Sequence, residues 1–349
     1  MNKPGSKLLF VLAVGALCIA IGIELLPQDR SENRETSRAP VWPNPPALAT
    51  IRFVTSLPNS ADSSNRKPFF QRLGKSLFAK APEGMTRPLG LVASEGILYV
   101  ADPGGHALLI FDLGRQSFQK ITKADSELLE SPVGVAVGKD RVYVSDSSLK
   151  RIFIYDRHGR FLRTYADRDL DRPTGLALDE RSGRLYVADT ATHQVRIYGQ
   201  NEKLEKTFGT RGMGEGEFNY PTHLSLDGEG HLLVVDSLNY RIQIFQPDGT
   251  FLAQFGHHGD SSGDFASPKG IAADSRGHLY VVDALFDTVQ IFDRQGELLL
   301  NFGERGVGPG QFWLPAGIFI DNQDRIYVAD SYNQRIQVFE FLGGGDHGE

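Results

Sequence analysis

Six aspartates recur along the chain at nearly regular intervals, so the first question is what chemistry their carboxylates serve. Consecutive members lie 44, 43, 47, 47 and 47 residues apart. The six are Asp102, Asp146, Asp189, Asp236, Asp283 and Asp330. Carboxylates could act in catalysis, but a side chain present once in every repeat serves each repeat separately. Because aspartate readily accepts backbone N–H groups at turns, we expect these residues to cap the same turn in each copy.

In three copies an arginine follows the aspartate by five residues. These arginines are Arg151, Arg241 and Arg335. A guanidinium at this spacing can reach back across the turn, so we expect an Asp–Arg pair in each of these copies.

The sequence around each aspartate indicates which elements position it. Phrases such as LYVADTATHQVRIYG and IYVADSYNQRIQVFE align without gaps, and a proline opens every unit, at positions 88, 132, 173, 221, 268 and 315. Each of the first five units contains four short runs of alternating apolar and polar residues, rich in Val, Ile, Tyr and Phe and separated by turns. Four strands per repeat is the unit of a β-propeller. The chain is therefore predicted to be an all-β, six-bladed β-propeller of four-stranded antiparallel blades. They begin near residues 86, 130, 171, 218, 265 and 312.

The sixth unit ends after its third strand, at IQVFEF, and lacks a fourth. The run TIRFVTSL at residues 50–57 resembles the fourth strands of other units, such as FLAQF and LLLNF. We expect this N-terminal strand to complete the sixth blade and close the ring, so that one propeller covers residues 50–341 and a flexible tail covers 342–349. The connecting segment 58–85 is expected to form a short amphipathic helix or loop over one propeller face, with a membrane-facing or partner-facing surface as the alternative.

The last three units carry the repeat motif in its fullest form. In the sixth unit the motif comprises Phe302, Gly303, Gly306, Gly308, Gly310, Phe312, Pro315 and Gly317, then Tyr327, Asp330, Asn333, Arg335 and Phe339. On these residues the chain closely resembles the NHL-repeat family, over residues 86–341. The resemblance implies a six-bladed propeller but no single function, because relatives include enzymes, extracellular sensor domains and RNA- or protein-binding scaffolds.

The lyase relatives direct attention to the central channel, where histidines from several blades hold zinc. The comparable innermost positions here, two residues after each opening proline, are Gly90, Gly134, Gly175, His223, Gly270 and Gly317. Only His223 departs from glycine, and one imidazole cannot form a zinc site of three histidines. We therefore predict no catalytic residue, no metal ligand and no cofactor, with His223 either contacting a ligand or serving the structure. A calcium or zinc ion in the channel stays open as an alternative.

Three Gly-rich connections, such as FGERGVGPGQF, invite comparison with phosphate-binding loops. Such loops open a helix, whereas another strand follows here, so we expect turns at blade junctions. The formal net charge of -6 and the scattered Lys and Arg residues argue against nucleic-acid binding.

The N-terminal residues 1–27 carry a targeting pattern. Lys3 and Lys7 precede an apolar run over residues 8–26 that is interrupted by a single carboxylate. This pattern predicts a signal anchor in the membrane or a cleaved signal peptide, and Cys18 allows a third alternative, a lipidated protein. Each alternative places the propeller outside the cytoplasm, in the periplasm or at the cell exterior.

The rest of the N-terminal region and the cysteine count complete the organisation. Residues 28–49 are polar and Pro-rich and are predicted to form an extended linker. Cys18 is the single cysteine of the chain, so the propeller contains no disulfide and no Cys-rich zinc module.

These observations predict a membrane-tethered, monomeric propeller that binds a protein or another extracytoplasmic ligand at its loop face. The loops after Asp102 and Asp146 depart most from the repeat consensus, so His106, Lys150 and Arg151 are the candidate ligand-binding residues beside His223. The alternative function is that of a propeller hydrolase or lyase with a metal ion in the channel.

Overall fold

The computed structural model describes residues 39–44, 47, 50–57, 84–115, 117–165 and 169–343. The apolar run 8–26, most of the predicted linker, the predicted helix within 58–83 and the tail 344–349 lie outside these residues. Among the described residues, no helix is both long and apolar enough to span a membrane.

The predicted six-bladed, all-β propeller is confirmed. Five blades are consecutive four-stranded antiparallel sheets, and the sixth combines the two ends of the propeller sequence. The strands of blade 1 are Leu91–Ser94, Ile97–Asp102, Ala107–Asp112 and Ser117–Ile121. Those of blade 2 are Pro132–Val137, Arg141–Asp146, Arg151–Asp156 and Phe161–Thr164, and those of blade 3 are Pro173–Asp179, Arg184–Asp189, Gln194–Tyr198 and Leu204–Phe208. Blade 4 contains Pro221–Leu226, Leu232–Asp236, Arg241–Phe245 and Phe251–Phe255, and blade 5 contains Pro268–Ala273, Leu279–Asp283, Thr288–Phe292 and Leu298–Phe302. Blade 6 contains Ile318–Ile320, Arg325–Asp330, Arg335–Phe341 and Ile51–Leu57, with Val41–Trp42 outside them.

Smaller elements lie in the connections. Two-residue strands pair as Lys123–Ala124 with Glu127–Leu128, and as Glu304–Arg305 with Gln311–Phe312. Single 3₁₀ turns follow the second strands of blades 3 and 4, at Thr190–Thr192 and Ser237–Asn239.

The core lies between neighbouring blades, which explains the composition of the strands. The second and third strands of each blade are covered on both faces, and Thr288–Phe292 is buried at every position. One cluster of buried residues joins Ala188 of blade 3 to Val234 of blade 4. Fourth strands form the outer edge, and Leu204–Phe208 is accordingly exposed along most of its length. Each blade is thus stabilised by apolar burial against the next blade.

The N-terminal strand closes the ring as the sequence predicts. Ile51–Leu57 pairs antiparallel with Arg335–Phe341, from Ile51 opposite Phe341 to Leu57 opposite Ile336. Its inward side chain Ile51 is fully buried.

A fifth strand in blade 6 differs from the sequence prediction, which placed its residues in the linker. Val41–Trp42 pairs with the beginning of the closing strand. The Trp42 ring lies 5.7 Å from the Phe302 ring and 5.8 Å from the Phe339 ring. An aromatic contact with blades 5 and 6 therefore orders a segment whose composition alone suggests an extended chain.

We predict that Ile51→Ala destabilises the propeller by about 2–5 kcal/mol, because it leaves a cavity in the closing blade. The matched control is Val54→Ala in the same strand, where the side chain is 46% exposed and the expected loss is about 0.5 kcal/mol or less. Denaturant unfolding of both variants measures the difference. Equal losses of unfolding free energy in the two variants would contradict the conclusion that burial of the closing strand stabilises the propeller.

Candidate functional site

A central cavity of about 970 Å³ runs between the first strands of the blades. All six blades contribute to its wall, and residues of the loops that lead into the first strands form its mouth. The loops after the second strands, which contain His106 and Ser148, lie at the same mouth. We call this side of the propeller the loop face.

The six repeat aspartates hold the loop face in place. Their side chains are at most 1% exposed. Each accepts at least one backbone N–H from the residues that precede the first strand of its blade. Asp102, for example, accepts from Thr86 and Arg87, both at 2.8 Å, and from Gly105 of the following turn at 3.0 Å. Each carboxylate therefore joins the end of the second strand to the segment that leads into the first.

The arginines that follow by five residues do not all behave alike. Arg241 and Arg335 pair with Asp236 and Asp330 through Nε, at 2.9 and 2.7 Å. Their terminal N–H groups donate to carbonyls of the preceding Gly-rich connection, and Arg241 also donates to the side-chain oxygen of Gln254. The prediction that Arg151 pairs with Asp146 was wrong. Arg151 instead forms an ion pair with Glu127 at 2.5 Å. Glu127 belongs to the short hairpin that stands before blade 2 in place of a Gly-rich connection.

The hydroxyl residue directly after the aspartate joins neighbouring blades, a role that sequence reasoning missed. Ser147 and Thr190 each donate to the carbonyl of the next blade's opening proline, at 2.6 Å. Ser237 makes the same contact at 3.4 Å, and Ser331 of blade 6 donates to the Pro88 carbonyl of blade 1. The signal was visible in the sequence as Asp-Ser or Asp-Thr in four of the six repeats.

The inner positions two residues after the opening prolines are glycine because adjacent first strands nearly touch. A Cβ on Gly134 would lie 2.0 Å from the Thr174 carbonyl oxygen, and one on Gly317 would lie 2.0 Å from that of Leu89. The Gly-rich connections have a comparable steric cause. Gly303 has φ +90°, and a Cβ there would lie 2.3 Å from the Phe312 ring.

His223 is the one inner position that carries a side chain, and it lies in the cavity wall. Its Nδ1 accepts the backbone N–H of Ile271 at 3.3 Å. Burial lowers the pKa of His223 to about 4, so the ring is neutral at pH 7. A neutral ring that accepts at Nδ1 carries its proton on Nε2, which leaves Nε2 as a hydrogen-bond donor.

The other candidate ligand-binding residues lie on the loop face but are engaged by neighbours. His106 contacts the Glu130 carbonyl through Nδ1 at 2.5 Å. Lys150 forms an ion pair with Asp171, and Arg151 forms the pair with Glu127. These three residues and His223 therefore do not form one cluster of free polar groups.

A hydrophobic group on the same face was also missed by the sequence analysis. It consists of exposed side chains on three successive blades: Tyr220, Leu238, Leu285, Trp313 and Tyr332, which are 36–62% exposed. We call these five residues the blade 4–6 rim. The available signal was the second position after the repeat aspartate, which is Gly104, Ser148 and Ala191 in blades 1–3 but Leu238, Leu285 and Tyr332 in blades 4–6.

The zinc site implied by the lyase resemblance does not fit the inner positions two residues after the opening prolines, where His223 is the single imidazole. Within the described residues, no group of three or more His, Cys, Asp or Glu side chains is arranged to hold a metal ion. The repeat aspartates use their oxygens for backbone N–H groups of their own blades. No chemical step through a metal follows from this arrangement.

The resemblance to NHL repeats is confirmed by two matches to the NHL-repeat family model, at residues 170–198 and 312–339. One curated relative, the protein brain tumor of Drosophila melanogaster, is 36% identical over 107 residues. That alignment covers 29% of this chain and 10% of the relative, so the chain spans about a tenth of the relative's length.

Solved structures support the fold more broadly. A virginiamycin B lyase from Staphylococcus aureus with quinupristin has a TM-score of 0.55 at 15% identity, covering 75% of this chain and 97% of the lyase. An auxiliary nutrient binding protein from Bacteroides thetaiotaomicron has a TM-score of 0.59 at 14% identity, covering 74% and 70%. A nidogen/laminin complex contributes a chain with a TM-score of 0.52 at 18% identity, covering 70% and 86%. At these identities the likeness establishes the fold alone.

We predict that His223 makes the stability of the propeller depend on pH. The pKa of about 4 in the folded chain lies below about 6.5, the ordinary value for histidine, so the unfolded chain binds more protons between these limits. The stability contribution is therefore complete above about pH 6.5 and decreases as the pH falls toward 4.

Melting temperatures at about pH 7.5 and 5 test this dependence. His223→Gln should lose less stability on acidification than the parent chain. His158→Gln changes an exposed histidine on an outer turn and should behave like the parent. An identical response of the parent and His223→Gln would contradict the assignment.

Proposed function

We propose that this NHL-repeat propeller is a protein-binding module, tethered outside the cytoplasm, whose partner docks on the blade 4–6 rim. The observation that carries the proposal is the row of exposed hydrophobic side chains at equivalent positions of three successive blades. Clustered apolar side chains on a soluble surface are typical of protein interaction sites.

The fold itself does not require these side chains. Leu238, Leu285 and Tyr332 occupy the second position after the repeat aspartate, and Leu285 is 62% exposed. The same backbone position holds Gly, Ser or Ala in blades 1–3, where the turn forms equally well. A large apolar residue at this point therefore adds a surface for another molecule rather than packing for the propeller.

The aromatic members of the rim are held in fixed positions. The Trp313 and Tyr332 rings lie 5.6 Å apart, and the Arg87 guanidinium lies 5.5 Å over the Tyr332 ring. Restrained aromatic side chains lose little conformational freedom when a partner binds. This part of the rim is suited to act as the anchor of an interface.

The loop face of blades 1–3 has a different character. Two of its cations form ion pairs across adjacent loops, Lys150 with Asp171 and Arg151 with Glu127. Protein interfaces commonly combine an apolar centre with a polar border. Docking over blades 4–6 would place these ion pairs toward such a border.

The tether rests on the apolar run 8–26, which follows Lys3 and Lys7. An anchor, a cleaved signal or a lipid on Cys18 would each deliver the propeller across the membrane. We propose the uncleaved anchor, because the run with its carboxylate near one end is long enough for a short span.

We predict that Leu285→Glu with Tyr332→Glu abolishes capture of the partner, because two charges replace apolar contacts at the rim. The partner is identified and quantified by crosslinking and mass spectrometry with the full chain in its native cell. The matched control is Leu299→Glu, which changes a 53% exposed leucine on the outer strand of blade 5 and should leave capture unchanged. Equal capture by rim and control variants would contradict the proposed surface.

We predict that Cys18→Ala leaves the protein in the membrane fraction, because the apolar run supplies the attachment. Fractionation of cells that express the full chain, followed by immunoblotting, measures this distribution. Release of the variant into the soluble fraction would show lipidation of Cys18 and contradict the anchor.

A further inference from the structure

We propose that the channel mouth binds a small ligand through a carboxylate or phosphate group, which Arg87, Arg172 and Lys269 hold. The proposed site does not depend on the proposed protein partner, although Arg87 also lies over the ring of Tyr332 in the blade 4–6 rim. It assigns a ligand class to a cavity that the repeat architecture alone leaves undefined.

The three cations come from alternate blades around the channel. Arg87 and Arg172 directly precede the opening prolines of blades 1 and 3, and Lys269 directly follows that of blade 5. All three line the cavity. The residues on either side of the opening proline in the other blades are uncharged: Ser131 and Val133, Tyr220 and Thr222, and Leu314 and Ala316. The three lining residues therefore belong to every second blade around the channel.

These cations differ from the neighbouring ones in having no acidic partner. Arg151 and Arg196, for comparison, lie within 4.0 Å of a carboxylate. Over the part of the chain that the structure describes, Arg87, Arg172 and Lys269 form no such ion pair. The nearby carboxylate of Asp283 is fully buried and accepts the N–H groups of its own blade, so it is committed elsewhere.

The three cations make the mouth positive, whereas the formal net charge of the whole chain is -6. Two acidic residues line the cavity, Glu130 and Glu180. Glu180 belongs to the turn after the first strand of blade 3, at the end of the channel away from the loop face. The mouth therefore holds three cations beside one glutamate, an arrangement that favours an anion.

The chemistry of the lining suits an oxyanion. Guanidinium groups donate paired hydrogen bonds to carboxylate or phosphate oxygens, and an ammonium adds a point charge. In the wall of the same cavity, His223 offers an N–H donor. Enclosure lowers the pKa of the Lys269 amine despite the charge of Asp283, and a bound anion would favour its charged form again.

Calorimetric titration of the full chain in mild detergent with citrate and with inorganic phosphate tests the site. Citrate represents a free polycarboxylate and phosphate the simplest phosphoryl group, so the two arms separate the two sources of an oxyanion. We expect at least one to bind, with an affinity that weakens as salt is added. Glucose serves as the uncharged probe and should not bind.

The combined variant Arg87→Gln, Arg172→Gln and Lys269→Gln should weaken binding by at least about tenfold, because it removes all three charges. The control Arg115→Gln with Arg160→Gln removes two exposed, paired cations from turns after the third strands of blades 1 and 2 and should bind like the parent. The three single variants provide the same comparison if the combined variant does not fold. Absence of binding by both anions up to about 10 mM would overturn the proposal, as would equal binding by the parent and the combined variant.

Discussion

The structure depends on a buried carboxylate that is repeated six times. A charge withdrawn from water is costly unless hydrogen bonds replace its hydration, and each repeat aspartate receives them from the backbone that leads into its own blade. In four of the six blades the adjacent serine or threonine then donates to the opening-proline carbonyl of the next blade. In these blades, two neighbouring residues thus fix both the internal register of the blade and its position in the ring. The channel mouth and the rim are consequences of that arrangement, because every residue that forms them lies within a few positions of these contacts.

Most of the fold could be predicted from the sequence because it rests on periodic features. The spacing of the aspartates identified the blades, and the missing fourth strand of the last unit identified Ile51–Leu57 as its replacement. Arg151 shows where periodicity is insufficient. It has the same spacing from its aspartate as Arg241 and Arg335, but those arginines are held by carbonyls of a Gly-rich connection. Blade 2 is preceded by a short hairpin instead, so Arg151 finds Glu127. A local motif could not reveal which connection stands beside it.

The candidate sites were harder to predict because they consist of departures from the repeat. His223 was recognisable since it interrupts a row of glycines, and the structure places it in the cavity wall. Lys150 and Arg151 were selected as charged loop residues, but their charges are matched by Asp171 and Glu127, which are distant in sequence. Arg87 and Lys269 lack such a match. Only the folded ring shows which cations have acidic neighbours and which hydrophobic side chains face solvent.

The closing strand also sets an order of events during synthesis. Arg52 of that strand contacts Glu340, which lies 288 residues later in the chain. At a synthesis rate of roughly 5–20 residues per second, the strand is complete about 15–60 s before its partner exists. During that interval Ile51 has no blade 6 partner strand, while the first five blades can already form in sequence. The closing strand is thus synthesised before the blades but is the last to pair. Its hydrophobic side chains must remain unpaired until Arg335–Phe341 has been synthesised.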